Sequence, residues 1–459
     1  MNSQSKKMEL LGSTSIPKAL LAMGIPTMIG MLVNAFYNLV DAYFVGGLGE
    51  SQMGAISVVY PLGQVVVGLG LLFGNGAASY ISRLLGRGDK ENADKVASTA
   101  LYSSVSVGAV IIIISMVFLH PILKLLGATD SILPYAATYA GIYIVSCIFN
   151  VFNVTMNNIV TSEGAAKTTM CALLMGAVLN IALDPLFIYV FDLRLAGAAI
   201  ATAISQVVST CVYLTYIFRK KSVFHFRVKD CTYTKETMSE IFKIGIPTLV
   251  FQILTSVSIS LINNAAGDYG DSAIAGMGVV TRLISMGSLS VFGFIKGFQP
   301  IAGYSYGAKK FDRLREAIKT SILWSTVFCV IFGVILALFP TAIVSQFTKG
   351  DTEMIRIGAL SLRANGISIM LFGFYTVYSS LFLALGKGRE GFILGACRQG
   401  ICFIPVILLL PMVGGLNGIM YAQPIADVLS AVITVFMAIP LHKKLNEMQR
   451  KTAEISPNN

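Results

Sequence analysis

Residues 24–44 read GIPTMIGMLVNAFYNLVDAYF, and GIPT returns at 245–248, an offset of 221. The same offset aligns Gly49 with Gly270, Ser51 with Ser272, Val58-Val59 with Val279-Val280, and Gly76 with Gly297. It also aligns Gly86 with Gly307, each opening a charged loop, RGDKENADK in one half and AKKFDRLRE in the other. Leu195 and Gly197 meet Leu416 and Gly418, and Gly164 meets Gly386 with one residue of slip. The chain is therefore written twice.

Twelve apolar runs fill the two copies, at roughly 16–44, 53–82, 93–119, 131–160, 167–190, 195–218, 238–266, 273–304, 314–341, 354–385, 391–411 and 415–440. A run of about 20 apolar residues spans a bilayer as a helix. Hydrophobic residues make up 55% of the 459, charged residues 12%, and mean hydropathy is +0.74. Soluble chains carry about 25% charged residues. A membrane β-barrel would alternate in segments of about ten residues. The expected fold is an all-α integral membrane protein with twelve helices in two pseudo-symmetric six-helix bundles. The first run follows a polar tail without a small-residue cleavage site, so it reads as a retained helix. Six crossings per half leave both halves facing the same way, a parallel repeat about an axis along the membrane normal. A cleft between two such bundles suits alternating access. The expected divisions are an N-terminal lobe at 1–218, a basic linker at 219–236, and a C-terminal lobe with its tail at 237–459.

The net charge of +11 invites a nucleic-acid reading, but its distribution argues against one. Most of the 34 Lys and Arg fall in the tails and the even-numbered loops. The odd-numbered loops hold Lys124, Arg194, Lys349, Arg356 and Arg363, while Arg282 and Lys296 lie inside an apolar run. This is the positive-inside pattern. It places both termini in the cytoplasm of a multi-pass protein of the cytoplasmic membrane, with lipid and not nucleic acid as its surroundings. Of seven cysteines only Cys231 lies outside the apolar runs, and none has paired spacing. His120, His225 and His442 sit at loops or helix ends, so no metal cluster is expected. With no HExxH, no GxSxG and no histidine inside the bundle, an intramembrane enzyme is not expected. A passive channel would not need titratable acids in one half of a repeat.

The polar residues of the first run, Asn34, Tyr37, Asn38 and Asp41, recur at i, i+3, i+4 and i+7, one helical face. The second run has Ser57, Tyr60 and Gln64. The fourth has Tyr135, Tyr139 and Tyr143, then Asn150, Asn153 and Asn157. The fifth has Asn180 and Asp184, and the sixth Thr202, Gln206 and Ser209. Such faces must meet each other or a water-filled cavity. Their convergence would form one polar pocket with two carboxyls and no intrahelical base. In the repeat, Asp41 maps to Ile262, Asn180 to Ile401, Asp184 to Pro405 and Thr202 to Gln423. The copies share glycines but not these acids. Singly, Asp41 near its helix end can simply face water, and Asp184 beside Pro185 can be a helix-end residue. Together, and missing from the repeat, they point to function. Two acids without a cation are either protonated or holding one, which suits a site coupled to H⁺ or Na⁺. Asn180 and Thr202 offer oxygens fit for Na⁺ or for a protonated acid. In the second half, Arg282, Lys296, Arg398 and Asp427 are candidates for a C-lobe cavity, and Arg398 with Asp427 for a structural ion pair.

The chain resembles the multidrug and toxic compound extrusion (MATE) family. The likeness covers roughly 15–445 and rests on GIPTMIGMLVNAFYNLVDAYFVGGLG, GNGAASYISRLLGRGDKENA, LNIALDPLFIY and GAAIATAISQ. It implies an antiporter that expels cationic or amphipathic drugs against an inward H⁺ or Na⁺ gradient, with no other cofactor and as a functional monomer. It further implies a cation site of Asp41, Asn180, Asp184 and Thr202, surrounded by Tyr37, Asn38, Tyr139 and Asn157. Family members with a C-lobe Na⁺ site use a glutamate in the seventh helix and an aspartate in the tenth. Neither run here has an acid in its membrane part, so that site is expected to be absent. The alternative is a lipid-linked precursor flippase of the same superfamily, which would line its cavity with several Arg and Lys.

Overall fold

The computed structural model describes residues 3–455, apart from Gly47, Gly49 and residues 348–350. Gly49 of the repeat and Lys349 of the charge pattern lie outside the described residues. In hydrocarbon every backbone amide must be satisfied within its own segment, and the apolar runs accordingly form helices. The first half comprises α1 (Ser3–Gly12), α2 (Ile16–Gly46), α3 (Glu50–Gly86), α4 (Lys90–Val117), α5 (Leu119–Leu125), α6 (Leu133–Ser162), α7 (Ala166–Pro185) and α8 (Arg194–Phe218). The second half comprises α9 (Lys235–Gly267), α10 (Asp271–Gly307), α11 (Phe311–Leu338), α12 (Pro340–Ser345), α13 (Thr352–Ser368), α14 (Phe372–Ala384), α15 (Gly388–Ala396), α16 (Phe403–Gly414) and α17 (Leu416–Ile455). Among the described residues twelve spans are long and apolar enough to cross a membrane. They match the twelve apolar runs.

Three spans are interrupted. A π turn at Leu186–Val190 follows Pro185, a 3-10 turn at Ile369–Leu371 joins α13 to α14, and a second π turn at Cys397–Ile401 joins α15 to α16. Proline removes one ladder donor, and π turns re-aim side chains within a helix. Short α5 and α12 begin 221 residues apart, so the repeat extends to these span ends. Three spans are capped by side chains at their starts: Asp89 accepts from Asn92 N (3.1 Å) at α4, Thr234 from Thr237 N (3.3 Å) at α9 and Asp351 from Met354 N (3.0 Å) at α13.

Glycine lets the two bundles touch. A Cβ on Gly86 would lie 2.1 Å from the Tyr304 carbonyl oxygen, and one on Gly307 would lie 2.1 Å from that of Arg83. Tyr304 is Arg83 advanced by the repeat, so α3 and α10 meet by a reciprocal pseudo-twofold contact. The α2–α10 and α3–α9 pairs repeat this relation, through Gly297 against Gly24 and Gly245 against the Leu72 carbonyl. All these contacts lie toward the end of the molecule that carries both termini. Arg83 Nη2 to Glu240 Oε2 (2.6 Å) and Ser79 Oγ to the Leu383 carbonyl (2.5 Å) close the same end. Away from that end, Tyr60 of the first bundle and Ile259 of the second are exposed and line a cavity between the two.

The polar tail expected before the first span is the helix α1, tied to both halves. Lys7 contacts the buried Glu163 (3.2 Å), the Lys221 carbonyl (2.5 Å) and the Tyr216 hydroxyl. Burial holds the Lys7 ammonium below the usual lysine range, with the Glu163 carboxylate opposing. Arg313 donates to the Leu11 carbonyl (3.2 Å) and the Thr14 carbonyl (2.5 Å), and Lys310 to that of Gly12 (2.8 Å). The linker at 219–236 packs beside α4. Its His225 backbone N donates to Asp94 Oδ1 (2.8 Å), and Phe224 and Phe226 are buried.

Candidate functional site

The two acids of the first half meet. Asp41 near the end of α2 and Asp184 at the end of α7 bring their carboxyls within hydrogen-bonding reach of each other. Asn180, one turn before Asp184, donates from Nδ2 to Asp184 Oδ1 (3.4 Å) and to Thr202 Oγ1 on α8 (3.4 Å). Asp184 is fully buried and Asn180 nearly so. Asp41 Oδ1, Asp184 Oδ2 and Asn180 Oδ1 are buried without a hydrogen-bond partner. Buried polar atoms are normally satisfied, so one orphaned oxygen on each carboxyl, with the orphaned Asn180 amide oxygen beside them, marks a place built for a proton or a hard cation. Tyr37 and the buried Tyr139 lie within electrostatic reach of both carboxyls, and Tyr139 stacks on Tyr143 at 5.6 Å. No bundled Lys or Arg makes an ion pair with either acid among the described residues.

Asn34, Asn38, Asn153, Asn157 and Gln206 bond elsewhere, so the expected single polar pocket is two bonded groups, which approach within one turn at Thr202 and Gln206 of α8. Asn34 and Asn38 share the helix face, but Asn38 Nδ2 is spent on the Asn34 carbonyl (2.8 Å) and Oδ1 (3.1 Å), and Asn38 is exposed. Asn153 lies fourteen residues beyond Tyr139, about 20 Å further along α6. It donates to Gln206 Oε1 (2.8 Å) and accepts from Thr210 (2.9 Å). Asn157, another turn on, donates to the Tyr213 hydroxyl (3.2 Å) and accepts from Lys296 Nζ of α10. Helical spacing puts these residues on one face. Helix length then spreads them along α6, with Gln206 only one turn from Thr202 on α8.

A cavity of about 540 Å³ lies between the bundles, mostly within the second. Lys296 and Arg398 line it, as expected. Asp427 sits behind Arg398, fully buried. It accepts from Arg398 Nε (3.0 Å), Ser368 Oγ (2.9 Å) and Gln423 Nε2 (3.0 Å), while Arg398 also stacks over the Phe372 ring at 4.7 Å. The expected ion pair is therefore present, satisfied on both sides. Arg282 departs from expectation: it is exposed and is not among the residues that line the cavity, although Ser285 and Leu289, one and two turns on along the same side of α10, are. Sequence reasoning missed Ser288, Phe292 and Gln299, which share the lining face of α10 with Lys296 at helical spacing. It also missed Phe251 of α9, whose ring meets Phe292 edge-on at 5.9 Å.

A twelve-span bundle pair with a central cavity and an isolated carboxyl pair defines the class of multi-pass membrane transporters. The MatE family model matches residues 26–186 and 247–409, the two copies of the repeat, and the chain belongs to that family. It is 32% identical over 429 residues to the multidrug export protein MepA of Staphylococcus aureus (strain MSSA476), covering 93% of this chain and 94% of the relative. MepA of Staphylococcus saprophyticus is 31% identical over 433 residues, with 94% and 95% covered. Among solved structures, a MATE in complex with MaL6 superposes with a TM-score of 0.91 at 25% identity, over 97% of this chain and 99% of that one. The outward-facing conformation of a multidrug resistance MATE family transporter of the MOP superfamily superposes with a TM-score of 0.90 at 26% identity and the same coverage. The drug-export family, the twelve-span fold and the membrane setting expected from sequence all hold.

Proposed function

We propose that the protein is a secondary antiporter that exports amphipathic compounds across the cytoplasmic membrane in exchange for inward H⁺ or Na⁺. The observation that carries the proposal is the Asp41–Asp184 carboxyl pair with an unpartnered oxygen on each acid and a third on Asn180, set apart from the cavity. Coupling needs a site whose charge changes as the ion binds and leaves, and a carboxyl pair without a fixed cation meets that need. Asn180 and Thr202 position Asp184 and supply further oxygens. With both termini cytoplasmic, the closed end of the molecule faces the cytoplasm and the cavity opens outward. Ion binding at the pair then favours return of the empty carrier. No cofactor other than the ion takes part, and the monomer contains the whole path.

The experiment is accumulation of rhodamine dyes in efflux-deficient bacteria producing wild type, Asp41→Asn or Asp184→Asn at equal membrane levels. Wild type should lower cellular dye, and each variant should return it to the level of cells without the transporter. Repeating with Na⁺ omitted and with a protonophore names the ion. Full efflux by both variants would sink the coupling assignment, and loss of both from the membrane would assign the acids to folding. The flippase alternative lacks the lining it requires: Arg398 is neutralised by Asp427, leaving Lys296 alone to meet a pyrophosphate.

A further inference from the structure

We infer that the cavity selects amphipathic aromatic compounds bearing a carboxylate or sulfonate, and that Lys296 is the residue that binds the anionic group. The inference rests on the export reading and names the cargo of that same cavity. Charge is the first observation. Among the described lining residues there is no Asp or Glu. Arg398 is paired with Asp427, which also takes hydrogen bonds from Ser368 and Gln423, so that couple is neutral and satisfied. Among the described residues no carboxylate lies within ion-pair distance of Lys296, and its partner is the neutral Asn157. An ammonium has three donors. Asn157 takes one, and two remain for the cavity. Lys296 is half-buried at the cavity wall, where an ammonium without a counter-charge attracts an anion. An anionic cargo supplies that charge, whereas a cationic cargo meets like charge with no lining carboxylate to offset it.

Donor placement is the second observation. Gln299 is one turn from Lys296 on the same lining face, about 4.5 Å along the axis, and its Nε2 is buried without a partner. Both also border a small crevice with Asn75 and Asn158 beneath the cavity, toward the closed end. Two adjacent donors of this kind fit the two oxygens of one carboxylate. Ser288, two turns away, is 5% exposed and its hydroxyl lacks a partner. It can hold a second polar group of the cargo. Between these donors stand Phe292 and Phe251, and Phe292 also meets Phe372 edge-on at 5.3 Å. An aromatic wall between a cation at the floor and a neutral donor above matches a flat aromatic body with one anionic end.

The test compares rhodamine 110, which carries a free carboxylate, with rhodamine 123, its methyl ester. Affinities for the purified full-length protein in detergent are read by fluorescence polarisation, and the readout is the ratio of the two Kd values. Wild type should bind the acid at least about tenfold more tightly than the ester, the scale of one charge-assisted hydrogen bond. Lys296→Arg should keep the ratio, and Lys296→Met should bring it to near one. Lys296→Gln, which retains a donor to Asn157, replaces Lys296→Met if that variant does not fold. A merely structural link from Lys296 to Asn157 would weaken both dyes together and leave the ratio unchanged, which overturns the inference. Preference of wild type for the ester also overturns it but leaves the export reading standing. Binding of neither dye, with neither exported from cells, overturns both.

Discussion

Asp427 and Asp184 are both fully buried aspartates in a membrane bundle, yet their surroundings differ in kind. Asp427 accepts from an arginine, a serine and a glutamine, whereas Asp184 faces a second carboxyl and has an oxygen with no partner. The first arrangement is a finished structural link, and the second needs something added. Asp427→Ala should therefore strand the Arg398 charge and cost about 3–5 kcal/mol, read as a clear fall in the melting temperature of the detergent-solubilised protein. The double variant Arg398→Met, Asp427→Leu should recover most of that loss, because it removes both charges from a buried site. Asp184→Asn should leave the melting temperature near wild type while abolishing exchange, because no ion pair is broken. The repeat made the first-half acids legible in sequence: Asp41 and Asp184 stood out once their counterparts were seen to be Ile262 and Pro405. Ser288 and Gln299 gave no such signal. A serine or glutamine in an apolar run is unremarkable until packing shows which way its face turns.

Helix α1 was not anticipated as an element, because SQSKKMELLG has too few apolar residues for a span and reads as a polar tail. Its role comes from what it touches. One side holds the first bundle through Lys7 and Glu163, and its C-terminal carbonyls are bound by Arg313 and Lys310 of the second. Parting the bundles at this end must strain one set of bonds. Lys7→Met should leave Glu163 buried without its cation and destabilise the first bundle by about 3 kcal/mol. Hydrogen exchange should speed up in α1 and around Glu163 and leave α13 and α14 unchanged. At the α3–α10 crossing the limit is steric. Gly307→Leu places atoms where the Arg83 carbonyl lies and must push the two helices apart. Cysteine-reactive reagents added from the side of the termini should then label Ser82→Cys faster in the Gly307→Leu background than in wild type, once the native cysteines have been replaced.

At the scale of the whole molecule, transport requires the closed end to open as the cavity shuts. Asn75 Nδ2 donates to Thr248 Oγ1 across the bundles at 2.9 Å, so the two side chains meet directly. Cysteines at both positions, in a background lacking the seven native ones, should cross-link under oxidation and stop efflux, and a reductant should restore it. Efflux that persists in fully cross-linked protein would show that α3 and α9 need not separate here.

The sequence by itself determined the membrane setting, the twelve spans, the doubling of the chain and the short list of acids. Each rests on local chemistry: apolar length sets a span, offset matching finds a repeat, and an acid in an apolar run is conspicuous in any context. Tertiary structure alone decided which polar residues share a site. One helical face drawn from Tyr135 to Asn157 serves two hydrogen-bonded groups, because the rise of a helix spreads over about 20 Å residues that its period aligns, while Thr202 and Gln206 bring those groups within one turn of each other on α8. Packing alone also decided that Arg398 is neutralised, that Arg282 is exposed outside the cavity lining, and that Lys296 faces the cavity with a neutral partner. The presence of an ion-pair partner is a property of neighbouring helices, and no single run of sequence carries it.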